Sequence, residues 1–363
     1  MENAVINEYI SNKIKVSSLI LIVMVIYLHS YNIKDDNGFF FTTNSLISSL
    51  NIYIQNMISQ GITRVAVPLF FIISGFLFFK ESKFDFILYK KKTSSRFYTL
   101  LVPYIFWSSF VILIYFILQS IPGTSQYFNN THISELTIYE LLEKILFNPV
   151  NYPLWFLRDL IYLVVISPFL YFFLKKIPHI TIGVMLIIWF FGLSLDGIEV
   201  GFYKASPFLF FSIGGYIAIY RKDLLSIKVT NKIFIISLLL YLLLLLYKTY
   251  SLTFEPEPSY YYLLHNFLII LGIFIFWTLL DRIKFNILLP FSQYTFLFYV
   301  FHEPMNTIIK KGTYSILGKT ELVSVFLYLF TPITIMLVLI FTFHILNKLI
   351  PNVFSKVLGN RVT

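Results

Sequence analysis

The sequence predicts an all-α, polytopic membrane protein of about ten transmembrane helices, and three observations predict it. Of its 363 residues, 58% are hydrophobic and only 13% charged, with a mean hydropathy of +0.78; a soluble domain carries roughly a quarter charged residues. Apolar runs near the ~20 residues that cross a hydrocarbon core recur along the whole chain. The basic residues fall between those runs, where they can fix topology.

The first run, Ile14 to Ile33, has no small-residue cleavage site after it, so it reads as a helix that stays and not as a signal peptide. The expected spans are 14–33, 62–79, 97–119, 153–174, 180–195, 206–220, 231–249, 261–280, 287–310 and 321–350. The fifth and sixth are short. The tenth carries Thr331-Pro332, where a kink is expected because proline removes a helix hydrogen bond. Residues 46–60 read as an amphipathic segment lying at the membrane interface. The long polar loop from Ser120 to Tyr152 is expected outside, with a helix around Thr137–Phe147. It either covers something or is a connector. With no repeat and no soluble tract, residues 1–363 read as a single membrane domain.

Charge sets the orientation. With the N-terminus inside, 19 of the 28 lysines and arginines fall on the inner side, among them Lys13, Lys15, Lys175, Lys176 and the group from Lys80 to Arg96. The other 9 fall outside, together with 12 of the 18 acids. Both termini are therefore expected in the cytoplasm. The net charge of +10 does not form one patch, which argues against a nucleic-acid partner. With no cysteine in the chain, disulfides, thiol nucleophiles and thiolate metal sites are excluded. No glycine-rich phosphate loop, HExxH, EF-hand or DxD-like cluster occurs, so no metal is expected. Abundant Ile, Lys, Asn, Tyr and Phe suggest an AT-rich bacterial genome, hence a bacterial plasma membrane.

Ionisable residues at membrane depth are costly and mark cavities or partners. His29, Arg64, Arg158, Asp159, His265, His302 and Glu303 come from five spans and fall in the outer half of the predicted bundle. Two readings stand: snorkelling to the interface, or a polar cavity opening outward, which the number of contributing spans favours. Arg158 and Asp159 are adjacent, so their side chains diverge by ~100° and each is expected to pair with another helix. A histidine near neutrality can act as a general base towards a hydroxyl, which makes His29 the foremost candidate; position alone favours the plainer reading, a histidine hydrogen-bonded within the helix bundle. On the inner face, Lys80, Lys83, Lys90, Lys91, Lys92 and Arg96 are either ordinary positive-inside charge or a dock for a phosphorylated donor.

Four segments resemble the acyltransferase-3 family of membrane O-acyltransferases. Ile20 to Ser30, reading ILIVMVIYLHS, is similar to the family's first helix ending in its catalytic histidine. Val65 to Phe76 carries Phe70-Phe71-Ile-Ile-Ser74-Gly75-Phe76, similar to the family's FF-x-x-SGF helix. Arg96 followed by Pro103-Tyr104 is similar to its inner loop and Pro-Tyr helix. Leu154-Trp155-Phe156-Leu157, with Ser292 through Tyr299-Val-Phe-His302, is similar to its WFL segment and late S…Y-x-x-H helix.

The resemblance implies a ten-helix fold and acyl transfer, usually of acetyl, from cytoplasmic acyl-CoA to a hydroxyl of a surface or exported carbohydrate. It implies that His29 activates the acceptor hydroxyl and that Arg96, with Lys92 beside it, meets CoA phosphates. Arg64, Arg158, Asp159, His302 and Glu303 would line or support the acceptor pocket. Ser18 and Thr99 stand where the family pattern carries arginines, and lysines nearby do not reproduce an arginine's bidentate fork. A small-residue route past Ser74-Gly75, or simple close packing there, are both open. The competing reading is a polysaccharide or small-molecule export component that uses the same ionisable groups as a path.

Overall fold

A computed structural model describes residues 2–33, 41, 45–81, 85–123, 132–192, 202–254 and 260–360, with 2–7 and 202–204 described as backbone only. Lys83, among the inner cations, and residues 193–195, ending the fifth predicted span, lie outside the described residues. All regular elements among the described residues are helices. Seven helical runs are long and apolar enough to cross a membrane: Glu8–His29, Leu46–Phe79, Phe86–Ser120, Tyr152–Lys176, Asn231–Phe254, Tyr261–Leu280 and Glu321–Leu349. Pro178–Phe191 and Ala205–Tyr220 are shorter apolar helices.

The chain forms two compact units, each built from separate stretches of sequence. The first comprises residues 1–84, 167–292 and 319–332. It opens with α1, Glu2–His29, and continues through α2, Leu46–Gln55, a π-helical turn at Asn56–Gly61 and a 3-10 turn at Ile62–Val65 into α3, Ala66–Phe79. Here the expected interfacial segment is corrected: residues 46–60 are continuous with the helix that follows. Their polar side chains Ser48, Asn51, Gln55, Asn56 and Ser59 are buried, while Leu46, Ile47, Leu50 and Ile54 are exposed. In an apolar solvent the amphipathic pattern inverts, and the polar stripe turns inward to find partners.

The second unit comprises residues 85–166, 293–318 and 333–363. It starts with α4, Phe86–Arg96, capped by Asp85, whose carboxylate accepts from Leu88 N–H at 2.8 Å. The cationic stretch expected as a loop is thus largely helix. It passes through a π turn, Phe97–Leu101, into α5, Val102–Ser120. The helix expected in the long polar loop is α6, Ile138–Leu146, closed at its start by a reciprocal capping box between Thr137 and Glu140. Hydrogen bonds from the Thr137 backbone and hydroxyl hold the Glu140 carboxyl below the usual carboxylate range. α6 is seated on α5 through Tyr104 Oη, which donates to Leu146 O at 2.9 Å.

Two helices contribute to both units: α7, Trp155–Lys176, and α13, Glu321–Leu349. The divisions fall beside Pro168 and at Pro332, the prolines inside these helices. Between them run α8, Pro178–Phe191, α9, Phe202–Tyr220, α10, Asn231–Phe254, and α11, Tyr261–Leu280, all in the first unit after Ser167, and α12, Thr295–Leu317, in the second. A short α14, Pro351–Val357, ends the described chain and accepts a hydrogen bond from Trp107 Nε1 at Val357 O, 2.9 Å.

The first unit is organised by the crossing of α3 and α9. A Cβ on Gly75 would lie 2.0 Å from Phe211 O, and one on Gly214 would lie 2.0 Å from Ile72 O. Each glycine thus admits the backbone of the other helix, the small-residue packing typical of membrane helices. At Gly75 the space is filled by α9, so close packing accounts for that glycine. α10 and α11 pack through Phe234, Tyr241, Leu245, Leu268 and Ile275.

Candidate active site

α1 ends at His29, which is half-buried. The residues on either side of it are tied to the π turn. Ser59 Oγ donates to Tyr27 O at 2.8 Å, and Tyr31 Oη donates to Asn56 Oδ1 at 3.0 Å. Directly after α1 lies a buried polar network that the sequence did not announce. Gln55 Nε2 donates to Asn32 Oδ1 and Asn51 Oδ1, each at 2.8 Å, and Ser324 Oγ donates to Asn32 Oδ1 at 2.6 Å. Asn51 Nδ2 in turn donates to Ser324 Oγ at 2.9 Å. These bonds fix the chain leaving His29 to α2 and to the start of α13. Satisfied networks of this kind specify one arrangement.

The π turn also positions the cations. Arg64 donates to Gln60 Oε1, and Gln60 O accepts from Lys248 Nζ at 2.6 Å. Lys248 Nζ donates to His265 Nδ1 at 2.7 Å and lies 5.3 Å over the Tyr261 ring. Arg64 is close enough to Tyr31 and His265 to act on both electrostatically. Of the groups singled out in the sequence, Arg64 and His265 are therefore brought together in the first unit. Lys248, only 2% exposed, was missed. The predicted span ends at residue 249, with Lys248 among the nine outer basic residues, but α10 runs on to Phe254. The spacing Tyr241, Leu245, Lys248 was the available signal, since all three fall on the buried face.

At the other end of α1, Lys13 is fully buried. Its Nζ lies 2.5 Å from Asp281 Oδ1 and 4.2 Å over Trp277, and Asp281 also accepts from Tyr9 Oη at 2.6 Å. Lys13 is thus a packing cation, beyond its share in the inner charge count. Ser18, at the family's arginine position, donates its hydroxyl to Ile14 O at 2.9 Å and stays within its own helix. An apolar cavity of about 330 Å³ borders Ile14, Phe76, Trp277 and Thr278. Ile14 and His29 are fifteen residues apart, ~22 Å along α1, so this cavity is remote from the histidine.

In the second unit Arg158 and Asp159 pair with each other, which corrects the expectation of separate partners. Arg158 Nη2 lies 2.9 Å from Asp159 Oδ1, Nε donates to the same oxygen at 3.0 Å, and Nη1 donates to Phe147 O at 2.6 Å. The long arginine side chain bends across the ~100° between neighbours. His302 and Glu303 lie deep in α12, 0% and 7% exposed. That helix runs to Leu317, past the expected end at 310, and starts at Thr295, after the turns around Pro290. His302 Nδ1 donates to Phe298 O and Tyr299 O, both at 2.9 Å, leaving Nε2 as its acceptor nitrogen. Glu303 accepts from Asn306 Nδ2 at 3.1 Å and Thr307 Oγ1 at 3.0 Å, one turn on along the same face, with Lys310 a further turn away. Tyr299 Oη donates to Pro153 O at 2.9 Å, fixing α12 to the start of α7.

Lys92 and Arg96, four residues apart, share a face of α4, and Arg96 stands at its last turn before the π turn. No α4 side chain is buried. On the first unit's connecting turn, Arg221 Nη2 lies 3.0 Å from Asp223 Oδ2, and its hydrogen bonds hold the Asp223 carboxyl below the usual range.

Apolar helices that bring a histidine, an arginine and a lysine together on one turn mark a multi-pass membrane protein. The chain belongs to the acyltransferase domain family, Acyl_transf_3, whose profile matches residues 19–346 and so runs through both units. It is 27% identical over 180 residues to the succinoglycan biosynthesis protein ExoH of Rhizobium meliloti (strain 1021). That match covers 49% of this chain and 46% of the relative, so it spans about half the length of each. No solved structure matches.

Proposed function

We propose that this protein is an O-acyltransferase of the bacterial plasma membrane. It would move an acyl group, acetyl in the first instance, from cytoplasmic acyl-CoA to a hydroxyl of a cell-surface or exported carbohydrate. The observation that carries this reading is His29, half-buried at the end of α1 and framed by Tyr27 and Tyr31, inside the span of the family match. The relative named for succinoglycan biosynthesis supports a polysaccharide acceptor. In the proposed reaction His29 takes the proton of the acceptor hydroxyl as its oxygen attacks the thioester carbonyl. The carbon–sulfur bond then breaks, and the CoA thiolate leaves and is protonated. Arg96 and Lys92 on α4 bind the donor phosphates. Arg64, Arg158, Asp159, His302 and Glu303 shape or support the acceptor side, and residues 1–363 act as one domain.

The test is transfer of labelled acetyl from acetyl-CoA in membranes containing the protein, compared with membranes lacking it. Arg96→Ala is expected to raise KM for acetyl-CoA, and added salt to raise it further by screening. An unchanged KM would remove Arg96 from the donor site.

We further propose ten crossings with both termini cytoplasmic. The seven long apolar helices, the two shorter ones and α12, which holds Glu303, together make ten. Because the chain has no cysteine, single introduced cysteines report cleanly. A cysteine at Glu135 is expected to react with an impermeant reagent in intact cells, and one at Lys91 only after permeabilisation. The opposite pattern would invert the topology.

A further inference from the structure

The apolar cavity at the far end of α1 from His29 has no part in the proposed reaction. It is a slot that runs parallel to the helices of the first unit. Its wall extends along α3 from Leu69 to Phe76 and along α11 from Ile270 to Thr278, ~10–12 Å of helix rise in each case. The lining is aliphatic and aromatic apart from Thr278, whose hydroxyl donates within its own helix to Phe274 O at 2.9 Å and Ile275 O at 3.1 Å. Nothing in such a wall calls for water. An apolar cavity of ~150 Å³ stays dry and admits a six-carbon ring. At about 330 Å³ the slot has room for a stretch of hydrocarbon chain.

The mouth of the slot is cationic. The turn between α9 and α10 gives Ile227 and Val229 to the lining, and between them stands Lys228, exposed. Arg282, one turn past Thr278, bridges the two sides of the mouth: Nη1 donates to Thr278 O at 2.7 Å and Nη2 to Val229 O at 3.1 Å. The neighbouring acids Asp223 and Asp281 are already paired, with Arg221 and Lys13. Among the described residues no carboxylate pairs with Lys228 or Arg282. An apolar slot with a positive mouth is complementary to a molecule with a hydrocarbon tail and an anionic head.

We propose that the slot holds one acyl chain of an anionic phospholipid, with the lipid phosphate at Lys228 and Arg282. The helices α3, α9 and α11 all end at this mouth, which faces the cytoplasm in the proposed topology. The lipid therefore comes from the inner leaflet, where basic pockets between membrane helices take anionic headgroups. A donor acyl chain does not suit the slot, because its carbonyl has to reach His29, ~22 Å away along α1.

The experiment places the full-length protein in phosphatidylcholine nanodiscs with a trace of photoreactive lipid. The two probes are phosphatidylglycerol and phosphatidylcholine carrying the same photoreactive tail, and mass spectrometry locates the crosslinks. Phosphatidylglycerol is expected to label Leu69–Phe76 and Ile270–Thr278 more than phosphatidylcholine does by roughly 5- to 30-fold, the effect of one to two cations at an anionic headgroup. Leu239 and Leu243, exposed on α10 and outside the slot, are the reference and should label equally with both. Lys228→Gln, at an exposed position, is expected to cut the preference roughly 5-fold. Ile273→Trp should fill the slot and remove its label while leaving that on α10. Equal labelling of the slot by both probes overturns the proposal, as does a preference no greater than at α10. An undiminished preference in folded Lys228→Gln/Arg282→Gln overturns the headgroup assignment. Displacement of the slot label by a CoA thioester of the same chain length, with no effect on α10, would make the slot a donor site and overturn the proposal too. No acyl transfer is read, so the lipid site and the proposed reaction stand or fall separately.

Discussion

Replacing His29 by alanine is expected to lower kcat for acyl transfer by roughly 10²- to 10⁴-fold, the span associated with losing a positioned general base. Donor binding should change little, because the proposed donor groups Lys92 and Arg96 lie on α4. His302→Ala and Glu303→Ala should cost less. His302 Nδ1 is held by its own helix and Glu303 is satisfied by Asn306 and Thr307, arrangements that suit support better than proton transfer. The measurement is the rate of labelled acetyl transfer at saturating donor, with each variant's abundance checked. Full transfer by His29→Ala together with none by His302→Ala would move the base to α12. If neither histidine matters in an assay where the wild type is active, the base is a different group. If wild-type membranes transfer nothing, the export reading takes the place of the enzyme.

The second large effect is expected at the α3–α9 crossing. Alanine at Gly75 puts a methyl group 2.0 Å from Phe211 O, and alanine at Gly214 puts one 2.0 Å from Ile72 O. Both obstacles are backbone carbonyls on another helix, which a rotamer change cannot clear, so the helices must separate. Overpacking of this kind costs ~1–3 kcal/mol, and the upper part of that range or more is expected here. Gly183→Ala on α8 is the control, since nothing lies within 4 Å of the added carbon; alanine there should be neutral or slightly stabilising. Thermal unfolding in detergent, followed by loss of the monodisperse peak, reads all three. A Gly75→Ala protein as stable as Gly183→Ala would show that the crossing yields more easily than its spacing implies.

Several features were legible in the chain because they depend on quantities that add along it. Apolar run length and charge fraction suffice for a helical membrane protein, since the cost of unsatisfied backbone in lipid leaves few alternatives. A helix around Thr137–Phe147 was legible in the polar loop, while its reciprocal cap between Thr137 and Glu140 was shown by the structure. The motif around Phe70 to Phe76 announced a specific helix, although the reason for its glycine lies on α9. His29 stood out through the motif that ends in it; by position alone, a histidine hydrogen-bonded within a helix bundle explains it better.

What the sequence alone could not decide was the direction in which polar side chains point. The stripe Ser48, Asn51, Gln55, Ser59 fits equally a helix with that face in water and a helix with that face inward. The period is the same, and only the presence of Asn32, Ser324 and Tyr328 across from it selects the second. Likewise, Lys248 at the end of an apolar run fits a loop charge or a buried one, and the continuation of α10 past it decided for burial. Arg158 and Asp159, too close in sequence to expect pairing, pair because Phe147 O holds the guanidinium in place. Sequence by itself therefore determined that this chain lives in lipid, as helices, with a histidine ending the first. The tertiary structure decided which polar groups meet just beyond the end of that helix, because contacts between residues hundreds of positions apart leave no local period to read.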